Sequence, residues 1–483
     1  MFSVEINNNK MKILECREKA YSVISKNKKF LCSGIYGIIN IRNSQYIIFI
    51  VDSRKVSTFF SSDVFEVSKV EIILLKGSPE TQYIYGLRSV LENCGIYFSK
   101  TFLYKNISFD KNKKRLKKDF WFNYNPCKAL KVYDRDLISF SVRCIQGYFN
   151  SMTYGSTKIT LISRRCWRRC GARFFSRGVN KQGYVSNFVE TEQIIQIDNK
   201  VIHAFLQIRG SIPLVWGHKV NLKYAPEIIL PEKNAQFFFK SHDLLLSKYG
   251  SIYYINLIND TNYEGILYKA FNKLRNTIRL NNFNYHKLQK TLDLEENKKL
   301  SKQIDKILDK FNSKSTIKYQ KGAIRINCID CLDRTNLMQY IIAKHLVKRL
   351  FGKNFLIYNS ILRLLWFYNG NMLSLQYAGT PAIKAGLLRH EKYTVNGYLK
   401  DFYYSVQRYF INRLFHGQIH DAYNILTYKK YIFKDKATTK LSIQSFVMLS
   451  LVIYVYKYII DFKIPLLKYI LYFLIFFTFN FLS

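Results

Sequence analysis

Acidic side chains are in short supply in this chain. It has 33 Asp and Glu against 75 Lys and Arg, a formal net charge of +42 over 483 residues. A surplus of that size directs the chain toward acidic partners, either an anionic lipid surface or nucleic acid, unless it reflects a composition rich in Lys, Asn, Tyr, Phe and Ile throughout. Nucleic acid would rest on charge alone, because zinc-finger, helix-turn-helix and ribonucleoprotein motifs are all missing; no nucleic-acid partner is expected. A Gly-rich nucleotide loop and internal repeats are missing too. The first twenty residues lack the apolar core of a signal peptide, so the N-terminus is expected in the cytosol. Nine cysteines, an odd number scattered along the chain, argue against a secreted disulfide framework and fit a reducing compartment.

What is present is core material and one dense motif. Hydrophobic residues make up 48% and aromatics 16%, ample for more than one core at this length. The chain is organised around Ala323–Gly352. Ala323 to Asn327 alternates apolar and polar residues, as a short strand does, and from Thr335 onward Leu337, Met338, Ile341, Ile342, His345 and Leu346 recur at helical spacing. Gly352 is a stop signal. Between strand and helix lies Cys328-Ile-Asp-Cys-Leu-Asp-Arg334-Thr335.

That spacing suits phosphate transfer. A loop closing onto a helix N-terminus aims backbone N–H groups, here including those of Ile329, Cys331 and Leu332, at one anion. Arg334 can hold two phosphate oxygens with its fork of donors. The same field is expected to lower the Cys328 thiol from about 8.5 toward a thiolate at neutral pH, a nucleophile for phosphorus. Thr335 can hydrogen-bond the sulfur and help it leave. Asp330, the first choice, and Asp333 are the acid/base candidates. Two other readings compete: small buried cysteines beside an Asp333–Arg334 ion pair, or Cys328 and Cys331 as a redox pair or half a zinc site. The other close pair, Cys166 and Cys170, sits among arginines that oppose a cation. No metal or other cofactor is expected.

The loop Cys-Ile-Asp-Cys-Leu-Asp-Arg-Thr-Asn closely resembles the catalytic loop of the Sac-domain phosphoinositide phosphatases. Further blocks resemble the same family: Ser163-Arg-Arg with Gly171-Ala-Arg173 and Arg177-Gly178, Asn187 to Gln193, Gln207-Ile-Arg-Gly-Ser-Ile-Pro-Leu214 with Trp216, Gln376-Tyr-Ala-Gly-Thr380 with Lys384, and Arg408-Tyr409 with Asp421. The resemblance implies a phospho-cysteine mechanism on phosphatidylinositol monophosphates, with the 4-phosphate first and the 3-phosphate second. Arg173, Arg209 and Lys384 become candidate substrate-binding residues. Arg209, set between apolar residues, reads as a buried or pocket arginine. The run Arg164 to Arg173 reads either as a charged surface helix, with Glu190 and Glu192 pairing to it, or as a headgroup-binding element.

The expected fold is α/β: an α+β N-terminal subdomain over 1–130, an α/β cysteine-phosphatase-like catalytic domain over 131–428, and a C-terminal transmembrane helical hairpin over 441–482. In the first part, Ile38–Ile41 and Tyr46–Val51 read as a hairpin over Asn43-Ser44, Val70–Leu75 as a strand and Gln82–Cys94 as an amphipathic helix. The basic run Lys111–Lys118 reads as a solvated loop or a membrane-facing one. Lys287–Phe311 is helix-prone. Leu441–Ile460 and Ile464–Leu482 are each near the length that crosses a bilayer, separated by a polar turn and preceded by a lysine-rich segment that favours the cytosolic side. Two buried core helices are the alternative. The two-span plan resembles the endoplasmic reticulum and Golgi branch of the family, with the catalytic part facing the cytosol, and an anionic phosphoinositide membrane is the expected partner.

Three departures from the family pattern bear on activity. Tyr368 and Asn371 stand where two carboxylates are usual, and Asn284 where an aspartate is. Leu388 to Thr394 only loosely follows the usual block. A non-catalytic lipid-binding tether is therefore an alternative of another class, and a cysteine-based protein phosphatase a rival among enzymes.

Overall fold

The computed structural model describes residues 2–428, apart from 14–19, 24–26, 102, 110–117, 220–225, 232–234, 275–279, 283–297, 312–318 and 391–393. The expected spans at 441–460 and 464–482 lie outside the described residues, as do Asn284 and nearly all of the basic run 111–118. Among the described residues no helix is long and apolar enough to cross a membrane.

An eleven-stranded sheet organises the chain. In spatial order its strands are Leu280–Asn282, Ser251–Asn256, Gly322–Cys328, Lys200–Ser211, Val189–Ile197, Thr157–Arg165, Cys144–Tyr154, Ile96–Ser99, Ser62–Lys76, Ser44–Phe59 and Gly34–Ile41. The first four are parallel and the remaining ladders antiparallel. Pairing of Tyr97 with Ile145 carries the sheet across the boundary expected near residue 130. A smaller sheet of Phe2–Asn7, Lys10–Ile13, Ala20–Ser22 and Lys28–Cys32 packs Phe2, Val4 and Ile6 in one cluster with Ile35, Ile47 and Ile73.

Gly322–Cys328 lies between two parallel neighbours, and all seven of its residues are buried. Parallel strands are covered on both faces, which is why this strand is buried even at its polar positions, Arg325 and Asn327. On one face Ile324 and Ile326 meet Leu337 and Ile341 of the helix Asp333–Phe351, and Leu362, Leu365 and Trp366 of the helix Phe355–Ala378. On the other, Ala323 joins Phe238 and Leu245 of the helix Ala235–Tyr249 and Phe271 of the helix Gly265–Asn272, a cluster that Cys328 enters from the strand's end. Gly352 at φ +53° ends the helix Asp333–Phe351 and Gly379 at φ +75° the helix Phe355–Ala378, a conformation costly to residues with a Cβ.

The local expectations fall close to the structure. The first hairpin turns at Arg42-Asn43, with Ile41 opposite Ser44. Val70–Leu75 lies within Ser62–Lys76, and the amphipathic helix runs Thr81–Asn93. A helix occupies Lys298–Lys310. The arginine run is a different matter. It is no surface helix: Arg164 and Arg165 end a strand, Trp167–Arg169 is one tight turn, and both strand arginines are buried. The apolar–polar alternation of a strand is hidden there because both faces are covered.

Glu190 and Glu192 do pair with this run. Arg164 Nη1 lies 3.3 Å from Glu190 and Nη2 2.8 Å from Glu192, all three fully enclosed. Glu192 also accepts from the Ile107 and Ser108 N–H groups, each at 2.8 Å. Two carboxylates share one guanidinium. Burial pushes Glu190 up to about 7, opposed by Arg164 and reinforced by Glu192. A carboxyl raised in the folded state contributes stability that is complete below its unfolded value and lost as pH rises through about 7. Glu190→Gln removes that titration. Denaturant unfolding between pH 5.5 and 8 is expected to show the parent losing stability with rising pH and the variant losing distinctly less; equal slopes would place the proton elsewhere.

Candidate active site

The Cys328 loop joins the end of the buried strand to the helix Asp333–Phe351. Cys331 takes φ +54°, an uncommon conformation for a residue with a side chain. Its sulfur donates to the Gly210 carbonyl at 2.7 Å and accepts from the Cys328 N–H at 3.2 Å. The second cysteine of the pair is thus a tether between loop and neighbouring strand, and burial pushes its thiol up to about 12.

Arginines hold the loop from outside. Arg173 and Arg177 both pair with the Asp330 carboxylate. Arg177 Nη1 also donates to the Ile329 carbonyl at 3.1 Å, and Asn187 Nδ2 to the Asp330 carbonyl at 3.0 Å. With their carbonyls tied outward, the peptide groups of the loop are held in one orientation. Gly178 stands at φ +56°, where an added Cβ would lie 2.2 Å from the Leu214 carbonyl oxygen, so the approach of Arg177 depends on that glycine. Arg177 Nε donates to His218 Nδ1 at 3.3 Å, which leaves the ring proton on Nε2, 2.6 Å from the Tyr263 hydroxyl; that hydroxyl in turn donates to the Pro226 carbonyl. Burial first, then Arg177, pushes His218 down to about 3, consistent with a neutral ring.

Arg334 does not point into empty space. It makes a two-pronged pair with Glu264 and donates to the Leu257 carbonyl at 3.0 Å. Asp333 accepts from the Ile383 N–H at 2.7 Å and from Arg408 Nη1 at 3.0 Å. The hydroxyl of Thr335 is enclosed at the start of the helix, without a hydrogen-bond partner among the described residues. A cleft beside the loop is lined by Asp333, Asn336, Ile383, Lys384 and Leu388.

A family profile described as the SacI homology domain matches residues 33–314. The chain is 33% identical to the phosphoinositide phosphatase SAC7 of Arabidopsis thaliana, across 81% of this chain and 74% of that protein. This chain belongs to the Sac phosphatase family. It is also 28% identical to the phosphatidylinositol-3-phosphatase SAC1 of Saccharomyces cerevisiae, across 81% and 71% of the two chains. Synaptojanin-1 of Homo sapiens is 29% identical over 81% of this chain but only 27% of its own length, so the likeness covers a Sac portion of a longer protein. The profile match stops before Cys328.

The geometry revises three expectations for this Sac loop. Burial pushes the Cys328 thiol up rather than down; Arg334 and the Cys331 N–H pull against it, while Glu264 and Asp330 add to it. Burial leads that shift, and the sharing of Arg334 with the Glu264 carboxylate adds to it. Asp330 is held well below the usual carboxylate range by Arg173 and Arg177, which overcome its burial, so as placed it is a poor proton donor. Arg209 is fully enclosed and donates to Asn336 Oδ1 at 3.2 Å, which makes it a brace under the helix start rather than a surface that a substrate touches.

The other site residues converge. Cys328, Ile329, Asp330, Cys331, Leu332, Asp333 and Arg334 form the loop, and Arg173 reaches it. Lys384, at φ +66°, has its N–H on Asp401 Oδ1 at 2.9 Å, and burial holds its ammonium below the ordinary value. Sequence reasoning missed Arg177, Asn187, Glu264 and Arg408 as loop partners, and His218 behind Arg177. Arg177 and Asn187 stood in blocks already recognised; Glu264 carried no signal at all.

Removing the charge of Glu264 should lower the Cys328 pKa and free Arg334 to face the sulfur. Alkylation of Cys328 by iodoacetamide at pH 7.5, followed by peptide mass spectrometry, is expected to be slow in the parent and several-fold faster in Glu264→Gln. An unchanged rate would mean that Arg334 stays where it is without its carboxylate.

Proposed function

We propose that this chain is a phosphoinositide phosphatase that removes a ring phosphate from phosphatidylinositol monophosphates, with the 4-phosphate as first candidate, through a phospho-cysteine intermediate. The observation that carries the reading is the Cys328 loop itself, set on a helix start and ringed by Arg173, Arg177 and Arg334. A phosphate dianion competes with Asp330 and Glu264 for those guanidiniums. As Arg334 turns to the phosphate, the Cys328 thiol gives its proton to solvent water more readily and the thiolate attacks phosphorus. The sulfur–phosphorus bond forms while the bond to the ring oxygen breaks. The freed ring oxygen takes a proton, for which Asp330, once Arg173 and Arg177 are drawn to phosphate, and Asp333 are the loop's carboxyl groups. Water then attacks the phospho-cysteine, phosphate leaves, and Thr335 can donate to the departing thiolate. Arg334 and the loop N–H groups stabilise the charge in both steps.

The reading extends to location. The sequence of 441–482, two apolar stretches about a polar turn, supports a hairpin anchor in an endoplasmic reticulum or Golgi membrane with the catalytic part in the cytosol. An anchor holds the enzyme beside its lipid, so encounter needs little affinity.

The Arg334–Glu264 pair and the raised Cys328 thiol favour one rival, a membrane-bound phosphoinositide tether without turnover. Phosphate release from vesicles carrying each monophosphorylated phosphoinositide separates the two. The parent chain is expected to release phosphate, preferring one ring position, and Cys328→Ser to release none. Lipid binding by a folded parent without any release would hand the case to the tether, and a preference for phosphopeptides would hand it to a protein phosphatase.

A further inference from the structure

The helix Val395–Phe410 is built inside out. Nine of its sixteen residues are apolar or aromatic, yet its one buried residue is Arg408. Its N-terminus is set by Thr394, whose side chain accepts from the Gly397 N–H at 3.1 Å. Val395, Tyr398 and Phe402, spaced three and four apart, form one stripe, and they are 71%, 63% and 37% exposed. Lys400 is exposed on the same helix.

An adjacent side of this helix touches the catalytic loop. Asp401 accepts from the Lys384 N–H, and Arg408 donates to Asp333, to Thr380 Oγ1, to Ser374 Oγ and to the Pro381 carbonyl. Asp401 and Arg408 lie roughly a quarter turn from the stripe, at about 100° per residue. A body seated on the stripe is therefore coupled through two polar contacts to the segment beside Cys328.

We propose that the Val395–Tyr398–Phe402 stripe is a membrane-docking face, which enters the headgroup boundary of an anionic bilayer and sets the Cys328 loop toward the lipid surface. This rests on the phosphoinositide reading above. Charge and side-chain chemistry select a lipid surface over a protein: the chain carries +42, and Tyr398 and Tyr409 give this face apolar bodies with polar tips, which suit the headgroup level. A second copy of the chain is the other body that can cover such a face.

The test uses the full chain reconstituted into vesicles of phosphatidylcholine, phosphatidylserine and phosphatidylinositol 4-phosphate. Phosphate release is compared with release from dissolved dibutanoyl phosphatidylinositol 4-phosphate. The triple variant Val395→Ser, Tyr398→Ser, Phe402→Ser is expected to lose about tenfold on vesicles while release from the dissolved substrate stays within about twofold, since each lost apolar contact weakens only the docked state. A second readout is independent of turnover. Tyr398→Trp adds a fifth tryptophan at an exposed site, where Trp167, Trp216 and Trp366 are buried. Its fluorescence is expected to be quenched by brominated lipid beyond the parent level. Unchanged vesicle turnover, equal loss on both substrates, or no added quenching overturns the proposal. A parent silent on both substrates refutes the phosphatase reading, and quenching alone then decides docking.

Discussion

Charge matching around one loop is the constraint on which the site depends. Four guanidiniums, those of Arg173, Arg177, Arg334 and Arg408, converge on a turn of eight residues, and three carboxylates, Asp330, Asp333 and Glu264, meet them. Without those carboxylates, like charges at short range in a poorly hydrated place would repel each other and the loop would spread. The same pairing fixes the resting chemistry. Burial raises the Cys328 thiol, and Arg334, which divides its field between sulfur and Glu264, only partly opposes that. A phosphate group changes the balance because it carries up to two charges and three acceptor oxygens where each carboxylate carries one charge and two oxygens. The arrangement is thus poised by competition between anions.

A chain with so large a basic surplus also has to bury arginines without carboxylates. Arg165 is enclosed and donates to the Gly171 and Gln376 carbonyls and to Gln146, with its guanidinium over the ring of Tyr423 at 4.7 Å. Arg325 bonds to Asn327 and to the Ser211 carbonyl, and Arg209 to Asn336. Burying a charge is expensive unless donors find acceptors, and here carbonyl and amide oxygens and aromatic faces serve. Arg209 and Arg325 belong to adjacent parallel strands with Ile208 opposite Arg325, so their side chains leave the sheet on opposite faces. Between them sit Gly210 and the tethering thiol of Cys331. The loop is thereby framed by buried positive charge before any substrate arrives.

The sequence made the strand–loop–helix unit legible because each of its signals is local: alternation, then a helical period, then a stop glycine. The hairpin at residues 34–59 and the helix Thr81–Asn93 were legible for the same reason. The sheet that joins both halves of the chain was not, since strand pairing such as Tyr97 with Ile145 follows from long-range register that no short pattern encodes. The site divides in the same way. Loop residues came from one motif, while Glu264 reaches Arg334 across seventy positions and Asn187 reaches Asp330 across 143. The thiol pKa was misjudged because helix start and arginine were counted and burial was not.

The departures from the family pattern can now be weighed by what their side chains do. Tyr368 is 46% exposed on the helix Phe355–Ala378 and stacks edge-on to Phe367, away from the loop carboxylates. Asn371 Oδ1 accepts from the Ala382 N–H at 3.1 Å. That bond needs an acceptor oxygen, which an amide supplies as well as a carboxylate does, and without adding a negative charge near Asp333. Ala382 precedes Ile383, whose N–H holds Asp333, and Lys384, whose N–H is held by Asp401. The replacement thus preserves the geometry of the segment that carries Lys384, and the argument for a dead enzyme from two lost carboxylates loses its physical ground at Asn371.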